Sequence, residues 1–232
     1  MMITTHRGTE APRPTPNAFS VSRWLGVSYS ASTGGLLAIG LAATLSACSS
    51  GPAAPDDAAY VSELMAARAE KDRFFREDRE TPVPEDKKKT LLPLPYFPVD
   101  TSYSVPAALR LADKRPVFEM PTSTGTLRKY QLVGAIEFVF QGQPMTLGAF
   151  VEDGQAITSL FVPFADATTG KETYSAGRYL DLHPTASGLY TLDFNKAYNP
   201  YCAYNSKYEC PFPPPSNRLK VPIRAGEKAP GA

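Results

Sequence analysis

The fold is decided by residues 127–151, which read LRKYQLVGAIEFVFQGQPMTLGAFV. The stretch contains two apolar runs, Leu127 to Phe140 and Pro144 to Val151, separated by Gln141-Gly142. Both runs are rich in β-branched and aromatic side chains, and a polar residue followed by glycine between such runs is typical of a two-residue hairpin turn. The stretch therefore predicts two long antiparallel strands joined by a tight turn.

Shorter runs of the same kind lie on both sides of this hairpin. A second hairpin is predicted where Val151 meets Ile157 across Asp153-Gly154. About seven or eight strands at this spacing, without the longer helical segments of a βαβ unit, favour an antiparallel sandwich, roll or partly closed barrel. We therefore expect a mainly β domain over residues 103–232. Its remaining strands are predicted at Val117 to Met120, Leu160 to Phe164, Tyr174 to Leu182 and Leu189 to Phe194.

One amphipathic helix is predicted before the β domain, over residues 57–80. Asp56 and Asp57 are good N-cap residues for the run that follows. Pro82 and Pro84 end the helix and begin a proline-rich connector over residues 81–102. The predicted apolar side of the helix consists of Val61, Leu64, Met65, Ala69, Phe74 and Phe75.

The chain also contains an export signal. Residues 35–47 form an uncharged apolar run of about a dozen residues, which spans under 20 Å as a helix and is too short for a bilayer core of roughly 30 Å. The run ends in Leu45-Ser46-Ala47-Cys48, which resembles the lipobox of bacterial lipoproteins. The resemblance implies that residues 1–47 are removed and that Cys48 carries the lipid. An ordinary secretory signal cut near Ala47 is the alternative.

The lipid would be the protein's membrane partner, because two or three acyl chains hold it almost permanently. Residues 48–56 then form a tether. Ser49 follows the cysteine, and by resemblance to the lipoprotein sorting rule a small neutral residue there favours the outer membrane, if the cell has one. We therefore expect an extracytoplasmic, lipid-anchored protein of the cell envelope.

Charge and histidine content exclude several classes of function. The 232-residue chain has a formal net charge of +1. Three arginines and one glutamate precede Cys48, so the mature chain falls to about −1 and lacks the basic face that nucleic acid requires. His183 is the only histidine after Cys48, which leaves too few ligands for a structural zinc site. We expect no metal, no cofactor and no nucleic-acid partner.

Cys202 and Cys210 bracket the loop CAYNSKYEC. In an oxidising compartment they are predicted to form a disulfide, which would contribute roughly 2 to 3 kcal/mol in the chain-entropy model. A metal site at these cysteines is the alternative.

Catalysis, if present, would rest on carboxylates. Nucleophilic catalysis usually needs an imidazole base, and His183 is most simply an exposed turn residue beside Pro184. Asp181 and Asp193 lie near the ends of neighbouring predicted strands, and two carboxylates in different environments can divide acid and base roles. The alternative is that Asp181 pairs with Arg178, or that both carboxylates are solvated.

Residues 193–217 form an unusual segment rich in tyrosine, asparagine and proline. Tyrosine and asparagine together suit a polar ligand such as a glycan or a peptide. Equally, the rings could wrap the β core while the asparagines brace an irregular loop. Alternation along the strand places Phe194 on the opposite face from Asp193 and Asn195, so Phe194 is predicted to point inward. The aromatic residues are Phe194, Tyr198, Tyr201, Tyr204, Tyr208 and Phe212.

Several stretches resemble the domain of unknown function family numbered 1684. In the β domain they are residues 160–164 with 166, 173–174, 177–181, 193–195, 197–204, 210–211, 217 and 225–228. In the first helix they are Arg68, Lys71-Asp72 and Phe74-Phe75. The family is uncharacterised, and many members look like secreted proteins or lipoproteins. The resemblance implies that one shared cluster, for ligand binding or for bracing, contains Arg178, Asp181, Asp193, Asn195, Tyr198, Asn199, Cys202, Cys210, Asn217 and Glu227.

Three hypotheses about function follow from these patterns. The first is a binding or scaffolding module whose ligand face is the tyrosine and asparagine segment. The second is a hydrolase-like enzyme that uses Asp181, Asp193 or Glu227 as acid or base. The third is a purely structural lipoprotein. The near absence of histidine favours the first, which needs no catalytic geometry.

Replacing Cys48 with serine tests the anchor. The Cys48→Ser protein should carry no lipid, and it should accumulate as precursor or be released in soluble form, because serine offers no thiol for acylation. Fractionation and intact mass would measure this. Unchanged membrane association together with unchanged mass would contradict the lipoprotein interpretation.

Overall fold

A computed structural model describes residues 57–231, and the predicted signal, lipid site and tether lie outside them. Within the described residues, no helix is long and apolar enough to cross a membrane. The architecture is mainly β, as predicted. The helices are α1 (Asp57–Glu77) and α2 (Lys88–Leu91), and the strands are β1 (Ser104–Leu111), β2 (Val117–Pro121), β3 (Leu127–Phe140), β4 (Gln143–Glu152), β5 (Leu160–Phe164), β6 (Arg178–Leu182) and β7 (Leu189–Asp193).

The seven strands form one antiparallel sheet curled into a half-barrel, in the order β6-β5-β4-β3-β1-β7, with β2 added to β3. The β3–β4 hairpin is confirmed, and Phe140 pairs with Gln143 across the turn. Gln141 and Gly142 both have positive φ angles, 50° and 75°. This backbone twists in the sense that joins two right-twisted strands. The longest pair of strands is therefore specified locally by its turn.

The structure differs from the sequence prediction at three strands. The predicted return of the chain at Ile157 is wrong, since β5 begins at Leu160 and meets β4 only at the Phe150–Phe161 pair. Residues 174–177 form a turn rather than the start of β6, because Gly177 has a φ of 88° and its N–H bonds to Tyr174 O. β1 was not predicted as a separate strand, and its internal Pro106 is the reason, because proline is rare inside sheets.

The main core fills the concave side of the half-barrel. Phe194 is fully buried there, which confirms that this ring points inward. Its ring centroid lies 5.5 to 6.1 Å from those of Phe138, Phe140 and Phe164, in tilted or edge-on contacts. These contacts hold the end of β7 against strands from both halves of the sheet.

Helix α1 packs with a narrower and more polar stripe than the sequence predicted. Leu64, Arg68 and Phe75 are buried, whereas Met65 and Phe74 are exposed, so their predicted place on the packed face is wrong. The helix ends at Glu77, three residues before the predicted end. The connector contains α2 and buries Val83, Leu94 and Phe97.

The C-terminal strap, residues 223–228, is fastened by a buried arginine. The Arg178 guanidinium pairs with Asp166 Oδ2 at 2.9 Å and donates to the carbonyls of Ile223, Ala225 and Glu227. Both side chains of the ion pair are at most 1% exposed. The other oxygen of Asp166 accepts from Thr168 and from the backbone N–H of Ile223. Both members of the ion pair bond to the backbone of the strap, and the pair thus connects β6 to the strap.

The Asp166→Asn substitution should destabilise the domain by about 3 kcal/mol or more, because it leaves the buried Arg178 charge without a counterion. Urea unfolding followed by circular dichroism would measure the change. Asp153→Asn, in an exposed turn after β4, is the matched control and should stay within about 0.5 kcal/mol of the wild type. Equal unfolding midpoints for the two variants would contradict the structural role of the ion pair.

Candidate functional site

The predicted cluster divides into a set of internal braces and an open groove. Glu227 belongs to the braces. Its side chain is 2% exposed and accepts from Lys71 Nζ at 2.5 Å, Tyr204 OH at 2.7 Å and Asn199 N at 2.8 Å. Burial, followed by the charge of Glu227, raises the pKa of Tyr204, so this phenol stays protonated and donates. Glu227 therefore fastens the strap to α1 and to residues 199–204.

The three asparagines of the cluster also bond to the protein's own backbone. Asn195 Oδ1 accepts from Asp100 N and its Nδ2 donates to Asp100 O. Asn199 Nδ2 donates to Lys228 O. Asn217 Oδ1 accepts from Gly148 N, while its Nδ2 donates to Gly148 O and Pro163 O. Side chains engaged in this way hold loops in place.

The alternative pairing of Asp181 with Arg178 is wrong. Arg178 pairs with Asp166 inside the protein, whereas Asp181 is exposed and accepts from Tyr198 OH at 2.6 Å. The physical reason is alternation along β6: Arg178 and Asp181 are three residues apart, so their side chains lie on opposite faces of the strand. The Arg178 side chain therefore points into the core, and the Asp181 side chain points to the surface.

Asp181 and Asp193 open into the same groove, which we call the β6–β7 groove. It has a volume of about 780 Å³ and lies between β6, β7 and the first turn of α1. The size falls in the range of small-ligand sites. β6 and β7 are the two ends of the sheet and are not paired with each other. Its lining includes Asp57, Tyr60, Asp181, Thr191, Asp193 and Lys196.

Tyrosine hydroxyls hold both carboxylates. Tyr60 OH contacts the two carboxylate oxygens of Asp193 at 2.9 Å, and the backbone N–H of Asn195 donates to one of them. Burial, followed by the charge of Asp193, raises the pKa of Tyr60. Burial and Asp181 raise the pKa of Tyr198 in the same way. Both phenols therefore remain donors at neutral pH and keep the carboxylates as oriented acceptors.

Carboxylates outnumber ammonium groups in the groove. Asp57, Asp181 and Asp193 face one lysine, Lys196, whose Nζ lies 3.8 Å from Asp193 and whose side chain is 61% exposed. His183 is exposed, as predicted, and stands at the rim. Counting these four charged groups gives three negative and one positive, which favours a cationic or hydrogen-bond-donating ligand.

The aromatic segment after β7 is mostly turned inward. Tyr204 is 2% exposed and packs edge-on against Phe75 of α1, with ring centroids 5.2 Å apart. Tyr201 is 40% exposed, and its ring packs against Tyr208. Tyr201 and Tyr204 therefore pack against Phe75 of α1. The groove differs from the ligand face that the composition of residues 193–217 suggested.

Cys202 and Cys210 are free thiols in the structure, and the predicted disulfide is not formed. Both are buried, and Cys202 N donates to Cys210 Sγ at 3.2 Å. The hydrogen bond between the thiols lowers the pKa of Cys202 to about 6, and the same contact raises the pKa of Cys210. The cause is shared, because the proton kept on Cys210 stabilises a thiolate at Cys202.

Sequence reasoning left the residues of α1 out of the candidate cluster, although Arg68 and Asp72 were part of the family resemblance. Tyr60 reaches Asp193, Arg68 donates to Phe97 O, and Asp72 accepts from Leu94 N. Helical spacing relates residues 60, 64, 68, 72 and 75. A search for this spacing that counted polar as well as apolar residues could have identified the packed face of α1. Among the described residues, no group of three or more His, Cys, Asp or Glu side chains could hold a metal ion.

Comparisons with known proteins agree with this architecture. The solution NMR structure of an uncharacterized protein from Haloarcula marismortui is 38% identical to this chain, with a TM-score of 0.60 over 75% of this chain and 96% of that one. No match was found among curated proteins. Residues 89–228 match the family described as Protein of unknown function (DUF1684). Since the match covers more than half of the sequence, the chain belongs to the DUF1684 family.

Proposed function

We propose that this chain is a lipid-anchored protein of the cell envelope that binds an extracytoplasmic ligand in the β6–β7 groove. One observation carries the proposal: Asp181 and Asp193, distant in sequence from α1, open with Tyr60 into one groove of ligand size. The other polar members of the cluster bond within the protein, and only Arg178 Nε and Asn199 Oδ1 among their buried polar atoms lack a partner in the described residues. A ligand site in the cluster therefore falls at the groove.

The proposed anchor would place this groove near a membrane. Asp57 lines the groove and follows Cys48 by nine residues. A fully extended chain of that length spans about 30 Å. With lipid on Cys48, the groove would stay within that distance of the bilayer, on the outer membrane where the cell has one. A ligand such as an envelope glycan or peptide fits this location.

Hydrolysis is the second candidate, because two carboxylates share the groove. In a two-carboxylate mechanism one group donates a proton while the other acts as base or nucleophile. Tyr60 contacts both oxygens of Asp193, whereas only Oδ2 of Asp181 accepts from Tyr198. Asp181 is therefore the better acid or base of the two. Glu227 does not line the groove, so this reaction would not use it.

We also propose that Cys202 and Cys210 form a disulfide after export, by transfer of two electrons and two protons to a disulfide donor. The exported protein should then show no alkylated cysteine when it is quenched in acid and unfolded without reductant, because both sulfurs are bonded. Mass spectrometry would count the alkyl groups. Two alkylated cysteines would contradict the disulfide, and protein made with reductant present is the positive control.

Ligand binding in the groove can be tested by measuring how much of the protein is retained on purified envelope material. Asp181→Asn should lower retention of the detergent-purified, full-length exported protein by about threefold, the scale of one exposed charge contact. Its melting temperature should stay within about 2 °C of the wild type. Asp153→Asn removes another exposed carboxylate, which does not line the groove, and should bind normally. Equal retention of the two variants would count against the groove.

A further inference from the structure

We infer that the ligand of the β6–β7 groove is an extended peptide segment with a basic side chain, which adds as a strand to the free edge of β7. This inference rests on the proposed binding function and names its ligand class. Three features carry it: the free backbone N–H and C=O of Thr191 on β7, the matching open edge of β6, and the surplus of carboxylates between them. The edge groups of Leu189, two residues earlier on β7, are already bonded to the side chains of Ser187 and Thr185.

The hydrogen-bonding pattern shows which groups of β7 are free. Leu109 N donates to Gly188 O at 2.8 Å, so these two residues form a hydrogen-bonded pair. Counting from this pair along the β1–β7 register, every second pair is hydrogen-bonded. In an antiparallel ladder, bonded and non-bonded pairs alternate. Thr191, opposite Pro106, falls at a non-bonded pair. Its backbone N–H and C=O therefore point away from β1 and toward the groove.

β6 presents a similar edge across the groove. Tyr179 exchanges two backbone hydrogen bonds with Tyr198, at 2.9 and 3.1 Å, on the side away from β5. Asp181 stands two residues further on and directs its backbone groups to the same side. No bond to the backbone groups of Asp181 or Thr191 on this side is found within residues 57–231. Tyr198 thus closes one end of the gap between the strands and leaves the other end open.

Charge selects the kind of segment that fits. Asp181 Oδ1 has no partner among the described residues, while Oδ2 is held by Tyr198. A lysine or arginine between Asp181 and Asp57 would face carboxylates from two elements. Beyond the groove, the 66% exposed Leu189 continues into a shallow depression that contains Phe138, Val139 and Met145. This surface suits apolar residues that flank the basic one.

Strand edges distinguish this ligand from a glycan. A peptide can satisfy free N–H and C=O groups in a repeating ladder, which is the basis of β-augmentation. β6 and β7 run in opposite directions, because five antiparallel pairings separate them in the sheet. One added strand therefore pairs antiparallel with only one of the two edges. The peptide is assigned to the β7 edge because Tyr198 already pairs with part of the β6 edge.

The probe is the capped pentapeptide Thr-Val-Lys-Val-Thr, labelled with a fluorophore and added to the detergent-purified, full-length exported protein. We expect binding by anisotropy and shifts of the Thr191 and Asp181 amide signals in NMR spectra. Two further peptides separate the contributions, one with Glu in place of Lys and one with alternate amides N-methylated. Both should bind about fivefold more weakly, since each lacks either the charge pair or the ladder bonds.

Two variants of Thr191 form a matched pair. Thr191→Ala loses the side chain but keeps the edge N–H, so it should weaken binding less than Thr191→Pro does. Thr191→Pro removes that N–H without touching the β1 ladder, and it should bind about fivefold more weakly with a cooperative melting transition preserved. Should Thr191→Pro fail to fold, the N-methylated peptide tests the reciprocal bond of the same edge on the wild-type protein, in which a peptide N–H donates to Thr191 O.

The inference is overturned if N-methylation and Thr191→Pro leave peptide affinity unchanged, or if the Glu peptide binds as well as the Lys peptide. It is also overturned if a chitin oligosaccharide shifts the groove amides and the peptide does not, although the proposed binding function would then stand. If neither probe shifts those amides, the peptide inference fails, and retention on envelope material decides the proposed function separately.

Discussion

The buried ion pair between Arg178 and Asp166 is the constraint on which the rest of the structure depends. A charge in the interior is tolerated only when it is paired and its remaining donors are satisfied. Arg178 meets this condition at its two terminal nitrogens, through one carboxylate and three carbonyls of the C-terminal strap, while its Nε has no hydrogen-bond partner among the described residues. The strap carries little regular structure of its own, so its path is set by the positions of those carbonyls. The end of the chain is thereby fixed against β6.

A second buried charge continues the connection to α1. The strap that Arg178 holds includes Glu227, which accepts from Lys71 of α1 and from Tyr204. Gly226 turns the chain just before it with a φ of 75°, at a place where a Cβ atom would lie 2.5 Å from Ala197 O. The helix is therefore docked by specific polar contacts as well as by the apolar Leu64 and Phe75. This explains why its buried face is narrower than its apolar composition predicts.

The sequence predicted the features that local chemistry controls. Turn residues identified the β3–β4 hairpin, strand alternation placed Phe194 in the core, and proline marked the end of α1 within three residues. Features that depend on distant partners were not predictable in this way. Alternation along β6 already excludes Asp181 as the partner of Arg178, but whether Arg178 reaches Asp166, and whether Tyr60 reaches Asp193, depends on how elements more than ten residues apart meet in space. The candidate cluster was therefore identified as a set, while its division into braces and groove required the fold.

The division of the cluster into internal braces and a groove also explains why the groove stays open. A sheet whose end strands met would satisfy both edges, but residues 194–199 cross from β7 to β6 and pair at Tyr179 before the strands can join. Phe194 and Asn195 fix this crossing, one by packing in the core and the other by bonding to Asp100. The braces thus hold β6 and β7 apart as well as stabilising the domain. An exposed strand edge invites pairing with another chain, and here α1 and the carboxylates restrict which chains can approach.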